Sequence, residues 1–131
     1  MSDRRHTLLI VDDNQNNLFS LRMVLKRLPN CRILEADSGR KALEILLEET
    51  VDLVLLDVQM PDMNGFETAQ HMQMTNKTRG IPVIFITAVF DSGEFIRHGY
   101  RAGAVDYITK PIDDNTLINR LNHYFRKTDP D

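Results

Sequence analysis

Short apolar runs alternate with longer amphipathic segments along the whole chain, and this alternation constrains the fold more than any single motif. The runs are Thr7–Val11, Arg32–Ala36, Leu53–Leu56, Val83–Thr87 and Asp106–Thr109. They are short, mostly unbroken and rich in Val, Ile and Leu, as strands covered on both faces must be. The segments between them carry helical periodicity. Leu18, Leu21, Leu25 and Leu28 recur along one face of the first, which Pro29-Asn30 ends. Ser38 is an N-cap for the second, with Ala42, Leu43, Leu46 and Leu47 facing inward. Asn64-Gly65 turns into the third, where Phe66, Ala69 and Met72 form a weaker stripe that fades towards Gly80. Ser92 caps a fourth carrying Phe95, Ile96 and Tyr100 and ending at Gly103. Asp113 or Asp114 caps the last, with Leu117, Ile118, Leu121, Tyr124 and Phe125 on its apolar face. Five strand–helix units predict an α/β, doubly wound fold, an open parallel sheet with helices on both faces and right-handed crossovers.

The 131 residues fit one domain with a real core. We place that domain at 1–126, with 127–131 as a polar tail or the start of a linker. The net charge of -3, from 16 basic and 19 acidic residues, gives no basic footprint for direct nucleic-acid binding. Arg4-Arg5 precedes only a four-residue apolar run, Leu8–Val11, whereas a signal core needs roughly 7–15 residues. The apolar-rich stretch Ile81–Phe90 is too short for a bilayer. The expectation is a cytoplasmic protein with no membrane partner, in which Asn76-Lys77-Thr78 has no meaning as a glycosylation site. The single cysteine, Cys31, excludes an internal disulfide framework and reads as a small buried hydrophobe. The four histidines, His6, His71, His98 and His123, lack ligand spacing and read as exposed helix or terminus residues, so no zinc site is expected.

Ligand sites in open parallel sheets lie beyond the carboxyl ends of the strands. Just past the five strands come Asp12-Asp13, Asp37-Ser38, Asp57, Thr87 and Lys110. If the first and third strands are neighbours, three carboxylates meet a hydroxyl and an ammonium. Asp52 stands at the opposite end of its strand, and Asp62 follows Pro61 in a loop, where turn chemistry accounts for it. Two carboxylates ~5 Å apart repel by about 3 kcal/mol at an effective dielectric of ~20, and a divalent cation relieves this. Oxygen-only, solvent-facing ligands favour Mg2+, with Mn2+ as an alternative cation. With Lys110 and the cation neutralising phosphoryl oxygens, a carboxylate can act as nucleophile and form an acyl phosphate.

In LLIVDDNQNN, DLVLLDVQMPDMNG, PVIFITA and GAVDYITKPID, in this order and spacing, the chain resembles the receiver domain of two-component response regulators, from about His6 to Phe125. The resemblance implies a flavodoxin-like five-stranded sheet in the order 2-1-3-4-5. It implies Asp57 as phosphoacceptor, Asp13 and Asp57 as direct Mg2+ ligands, Asp12 as a ligand through water, and the Gln59 carbonyl as a further ligand. Lys110 would pair with a phosphoryl oxygen, Thr87 would move towards it, and the Ala88 backbone N–H would donate to it. Tyr107 falls on the aromatic switch, and the bond preceding Pro111 would be cis. The phosphodonor would be a histidine kinase or a histidine phosphotransfer protein. The output would pass to a homodimer or effector domain through the surface of the fourth helix, fifth strand and last helix, with Phe95, Tyr100, Arg101, Asp106, Asn122 and His123 as candidates. Val89, which offers no group to orient a water, implies slow autodephosphorylation. The DDNQNN and GAVDYITKPID segments look more like receivers attached to cyclic-dinucleotide enzymes or hybrid kinases than those of winged-helix regulators.

Three other readings compete. An aspartyl-phosphate phosphatase of the haloacid-dehalogenase type needs a second acid two residues after the nucleophile, where Gln59 stands here. A phosphorylation-independent pseudo-receiver would not need all five site residues. A flavodoxin-like FMN site wants a Ser/Thr/Gly-rich loop after the first strand, where this chain has acidic DDNQNN.

Overall fold

The structure, a computed structural model, describes residues 5–88 and 104–128. Its strands are β1 (His6–Val11), β2 (Cys31–Ala36), β3 (Leu53–Asp57), β4 (Val83–Thr87) and β5 (Ala104–Thr109). Its helices are α1 (Gln15–Leu25), α2 (Gly39–Glu48), α3 (Gly65–Met72), the one-turn α4 (Asn76–Arg79) and α5 (Asp114–Thr128). The strands form one parallel sheet in the order β2-β1-β3-β4-β5. The expected order therefore holds, and β1 and β3 are neighbours. The expected fourth helix, with its cap Ser92, falls outside the described residues.

Alternation along the strands builds two cores. Leu8 and Ile10 of β1, with Leu53 and Leu55 of β3, pack against Leu18, Leu21 and Leu25 of α1 and Leu117 and Leu121 of α5. Leu9 and Val11, with Val54 and Leu56, pack against Ala42 and Leu46 of α2 and Phe66, Ala69 and Met72 of α3. A one-residue slip would exchange the two sets, so apolar packing on both faces pins the register and the height at which each strand ends.

Local chemistry starts the helices where the sequence pattern places them. Asn14 accepts the Asn17 N–H at 3.1 Å, and Ser38 accepts the Lys41 N–H at 3.0 Å. Asn64 and Glu67 close a reciprocal capping box, with both bonds at 2.9 Å. Asp113, not Asp114, caps α5 by accepting the Thr116 N–H at 2.9 Å. Helix α5 runs to Thr128, into the stretch read as a polar tail.

Two expectations need correction. Leu47 is 62% exposed: Ala42 and Leu46 define the buried face of α2, and the next residue is rotated about 100° away from it. His6 is not a free terminal residue; it opens β1 and stacks on Phe125, with ring centroids 4.3 Å apart. His71 and His123 are exposed as expected, and His98 lies outside the described residues. Cys31 is half-buried, and burial pushes its thiol up to about 11. No described helix is long and apolar enough to cross a membrane.

Candidate functional site

The buried strands deliver their carboxyl-terminal residues to one edge of the sheet. Asp57 is the last residue of β3 and is only 3% exposed; Asp12, directly after β1, is equally buried. Asp13 beside it is exposed. Each of the three offers a carboxylate oxygen, and these oxygens lie within 4.8 Å of one another. The Lys110 ammonium reaches in after β5, 3.3 Å from Asp57 Oδ1 and 3.8 Å from Asp12 Oδ2. Its backbone N–H donates to the Thr87 carbonyl at 2.9 Å, joining the ends of β4 and β5. Thr87 is buried at the end of β4, adjacent to the end of β3, and Ala88 behind it is exposed. The Lys110–Pro111 peptide bond is cis.

The electrostatics follow from this crowding. The Asp57 carboxyl titrates above the ordinary carboxylate value, first because it is buried and second because Asp12 is negative. Lys110 and the Gln59 backbone N–H pull in the opposite direction without winning. An all-oxygen cluster with a buried, repelled carboxylate fits a hard divalent cation. Among the described residues, Asp12, Asp13 and Asp57 are the groups that could hold it.

The other two acids of the β3 segment are separated from the site. Asp52 precedes β3 and accepts the Thr7 N–H at 2.7 Å, at the amino end of β1. Asp62 sits in the loop with a φ of 68°, a turn conformation that Asp tolerates. Gly65 is required for a different reason. A Cβ there would collide with the Asp57 carbonyl oxygen and come within 2.9 Å of Val58 Cα. The missing side chain lets α3 start against the backbone that carries Asp57.

Sequence reasoning missed several supports. Asp12 Oδ1 accepts the Asn14 N–H at 2.9 Å, and Asp12 Oδ2 accepts from the Asn17 side-chain amide at 3.1 Å. Asn17 also lines a cleft of about 230 Å3 between α1 and α5, with Asp12, Leu21, Ile86, Lys110 and Ile112 among its walls. The available signal was the helix start itself: an Asn cap two residues after Asp12 places Asn17 one turn along. At β5, Tyr107 is buried at 5% exposure, with its ring 5.6 Å from Phe85. Its N–H donates to Asp106 Oδ1 at 2.8 Å, and its carbonyl accepts from Arg120 at 3.2 Å. Arg120 also pairs with Asp106 at 2.7 Å, so α5 braces the outer edge of β5 around Tyr107. Of the expected output face, Asp106 is thus engaged, Asn122 is half-buried and His123 is exposed, while Phe95, Tyr100 and Arg101 lie outside the described residues, as does Val89, the position tied to slow autodephosphorylation.

Comparison with known proteins agrees with the geometry. The family model described as the response regulator receiver domain matches residues 8–122. Protein PilH of Pseudomonas aeruginosa is 34% identical over 115 residues, which cover 88% of this chain and 93% of PilH. A probable cyclic di-GMP phosphodiesterase of Vibrio cholerae is 39% identical over 120 residues, 92% of this chain but only 26% of that protein. Among solved structures, the Vibrio cholerae chemotaxis protein CheY4 superposes with a TM-score of 0.85 at 27% identity, covering 92% of this chain and 98% of its own.

Proposed function

The chain belongs to the response regulator receiver domain family, and on that premise we propose that it accepts a phosphoryl group on Asp57 from a histidine kinase or a histidine phosphotransfer protein. The observation that carries this reading is the convergence of Asp12, Asp13, Asp57 and Lys110 at one sheet edge. In the proposed step, an Asp57 carboxylate oxygen attacks phosphorus and forms an acyl phosphate. The bond from phosphorus to the donor's imidazole nitrogen breaks, and its electron pair leaves on that nitrogen. Lys110, already against Asp57 Oδ1, neutralises a phosphoryl oxygen, and the Ala88 N–H and Thr87 hydroxyl donate to others. Bound Mg2+ supplies further charge neutralisation and alignment of the phosphoryl group. The residues that would hold it are Asp13 and Asp57 directly, Asp12 through water, and the Gln59 carbonyl.

The product carries about -1.5 to -2 of charge on its phosphoryl oxygens at the end of β3, in place of the single negative charge of the carboxylate. The Thr87 hydroxyl gains a partner and shifts towards it. Tyr107 is already buried, so the switch is a change in the population of this inward position rather than the creation of a new one. The signal leaves through β5, α5 and the preceding segment, to a homodimer or an effector domain. This chain spans about the length of PilH and about a quarter of the phosphodiesterase, and the same surface serves a receiver alone or one within a longer cytoplasmic protein. The domain is a signalling module rather than an enzyme, catalysing only its own phosphorylation and slow dephosphorylation.

Incubation with acetyl phosphate and Mg2+, followed by intact mass, tests this reading. One added phosphoryl group that is lost in Asp57→Asn is the expected result. Multiple-turnover hydrolysis would instead support the phosphatase reading, and an unchanged mass the pseudo-receiver.

A further inference from the structure

We infer that Asn17 is a positioning residue of the acidic pocket: its side-chain amide holds Asp12 so that the Lys110 ammonium stays committed to Asp57. The inference rests on Asp57 being the phosphoacceptor. One ammonium lies between two buried carboxylates, 3.3 Å from Asp57 Oδ1 and 3.8 Å from Asp12 Oδ2. Coulomb attraction alone chooses weakly between acceptors at such similar distances. The choice falls to the other donors.

Asp12 has two neutral ones. The Asn14 N–H takes Oδ1 at 2.9 Å, and the Asn17 amide takes Oδ2 at 3.1 Å, the same oxygen that faces Lys110. Without the amide, that buried oxygen would keep only the ammonium. A buried carboxylate oxygen short of donors is costly, so the ammonium would move towards Asp12 and away from the atom beside the incoming phosphoryl group. An amide is the side chain suited to this task. An added cation would oppose a divalent metal, an added carboxylate would repel Asp12, and an alkyl group donates nothing.

The role is separable from helix formation. Helix α1 is capped through the Asn17 backbone N–H, which donates to the Asn14 side chain at 3.1 Å and survives any side-chain change. Asn17→Ala therefore removes only the amide, and alanine favours a helix.

The test is a double-mutant cycle of Asn17→Ala with Lys110→Ala. The rate of phosphorylation by acetyl phosphate in saturating Mg2+ is read by intact mass on the four proteins of the cycle and on Asn17→Asp, and metal-free thermal melting is followed on Asn17→Asp against the wild type. In the Lys110-containing background, Asn17→Ala should slow phosphorylation about tenfold, the lower end of what a hydrogen bond to a charged group is worth. In the Lys110→Ala background it should change the rate less than about twofold, because no ammonium remains to be diverted. Asn17→Asp, similar in size but lacking the donor, should also be slow, and its metal-free melting temperature should fall and recover in Mg2+. An Asn17→Ala protein that reacts at the wild-type rate, or an equal loss in both backgrounds, overturns the inference while leaving Asp57 as phosphoacceptor. A wild-type chain that takes up no phosphoryl group overturns the functional reading, and this inference with it.

Discussion

Replacing Asp57 with Asn should stabilise the metal-free protein at neutral pH, and the size of the gain follows from the forces on that carboxylate. Carboxylate oxygens of Asp12 and Asp57 lie within 4.8 Å of each other, a repulsion of about 3.5 kcal/mol at an effective dielectric of ~20. Lys110 at 3.3 Å returns about 5 kcal/mol on the same scale. That figure shrinks because the ammonium is 30% exposed and shared with Asp12. The pairwise contributions nearly offset, so desolvation of the buried charge, several kcal/mol per ion, decides the sign. A net gain of about 1–3 kcal/mol for the neutral amide corresponds to a melting temperature higher by roughly 3–10 °C for a domain of this size.

The pH dependence is fixed by linkage. The folded protein holds the Asp57 proton more tightly than the unfolded chain, whose carboxyl titrates near 3.8. The stability contributed by the protonated group is complete below that value and is lost as pH rises through the elevated folded value. The neutral amide of the Asp57→Asn variant would carry no such slope. Melting curves of both proteins in EDTA, from pH ~4 to ~8, should therefore nearly coincide at the acid end and then separate in favour of the variant, with the gap levelling off once Asp57 is ionised. Adding Mg2+ should narrow the gap, because only the wild type keeps the full ligand set and gains stability by mass action. A wild-type protein at least as stable as Asp57→Asn throughout, or a gap that does not grow with pH, would refute the claim that burial outweighs Lys110.

Asp13→Asn should abolish Mg2+ binding by titration calorimetry while leaving the metal-free melting temperature unchanged or raised, since an exposed, repelled carboxylate has been neutralised. Gly65→Ala should lower stability by about 2–3 kcal/mol in urea denaturation, because its Cβ meets the backbone at Asp57 and Val58 rather than a movable side chain. Cys31, with its thiol raised to about 11, should be alkylated by iodoacetamide at pH 8 on the order of a hundredfold more slowly in the folded protein than after unfolding.

The sequence exposes whatever depends on where a strand stops, and hides whatever depends on how a helix is rotated. Apolar runs ending at Val11, Leu56 and Thr87 place the following or terminal polar group at the sheet's carboxyl edge, because parallel strands all end on the same side. That rule alone separates Asp57 from Asp52, which lies at the opposite edge on the Thr7 backbone. Helix starts were equally legible at Ser38 and Asn64, where the cap is a local interaction within four residues. Leu47 misled because apolar content does not report azimuth. The Asp106–Arg120 brace was hidden because its partners are fourteen residues apart and meet only when α5 folds back over β5. Asn17 lies between these cases: its spacing from Asp12 is local, but its role appears only once Lys110, from the far end of the chain, arrives at the same carboxylate. The candidate site residues can thus be read from strand ends, whereas the contacts that hold them in place are set by packing between elements. A variant at Asn17 therefore tests a part of the site that motif matching does not reach, and Lys110 is the partner through which its effect must pass.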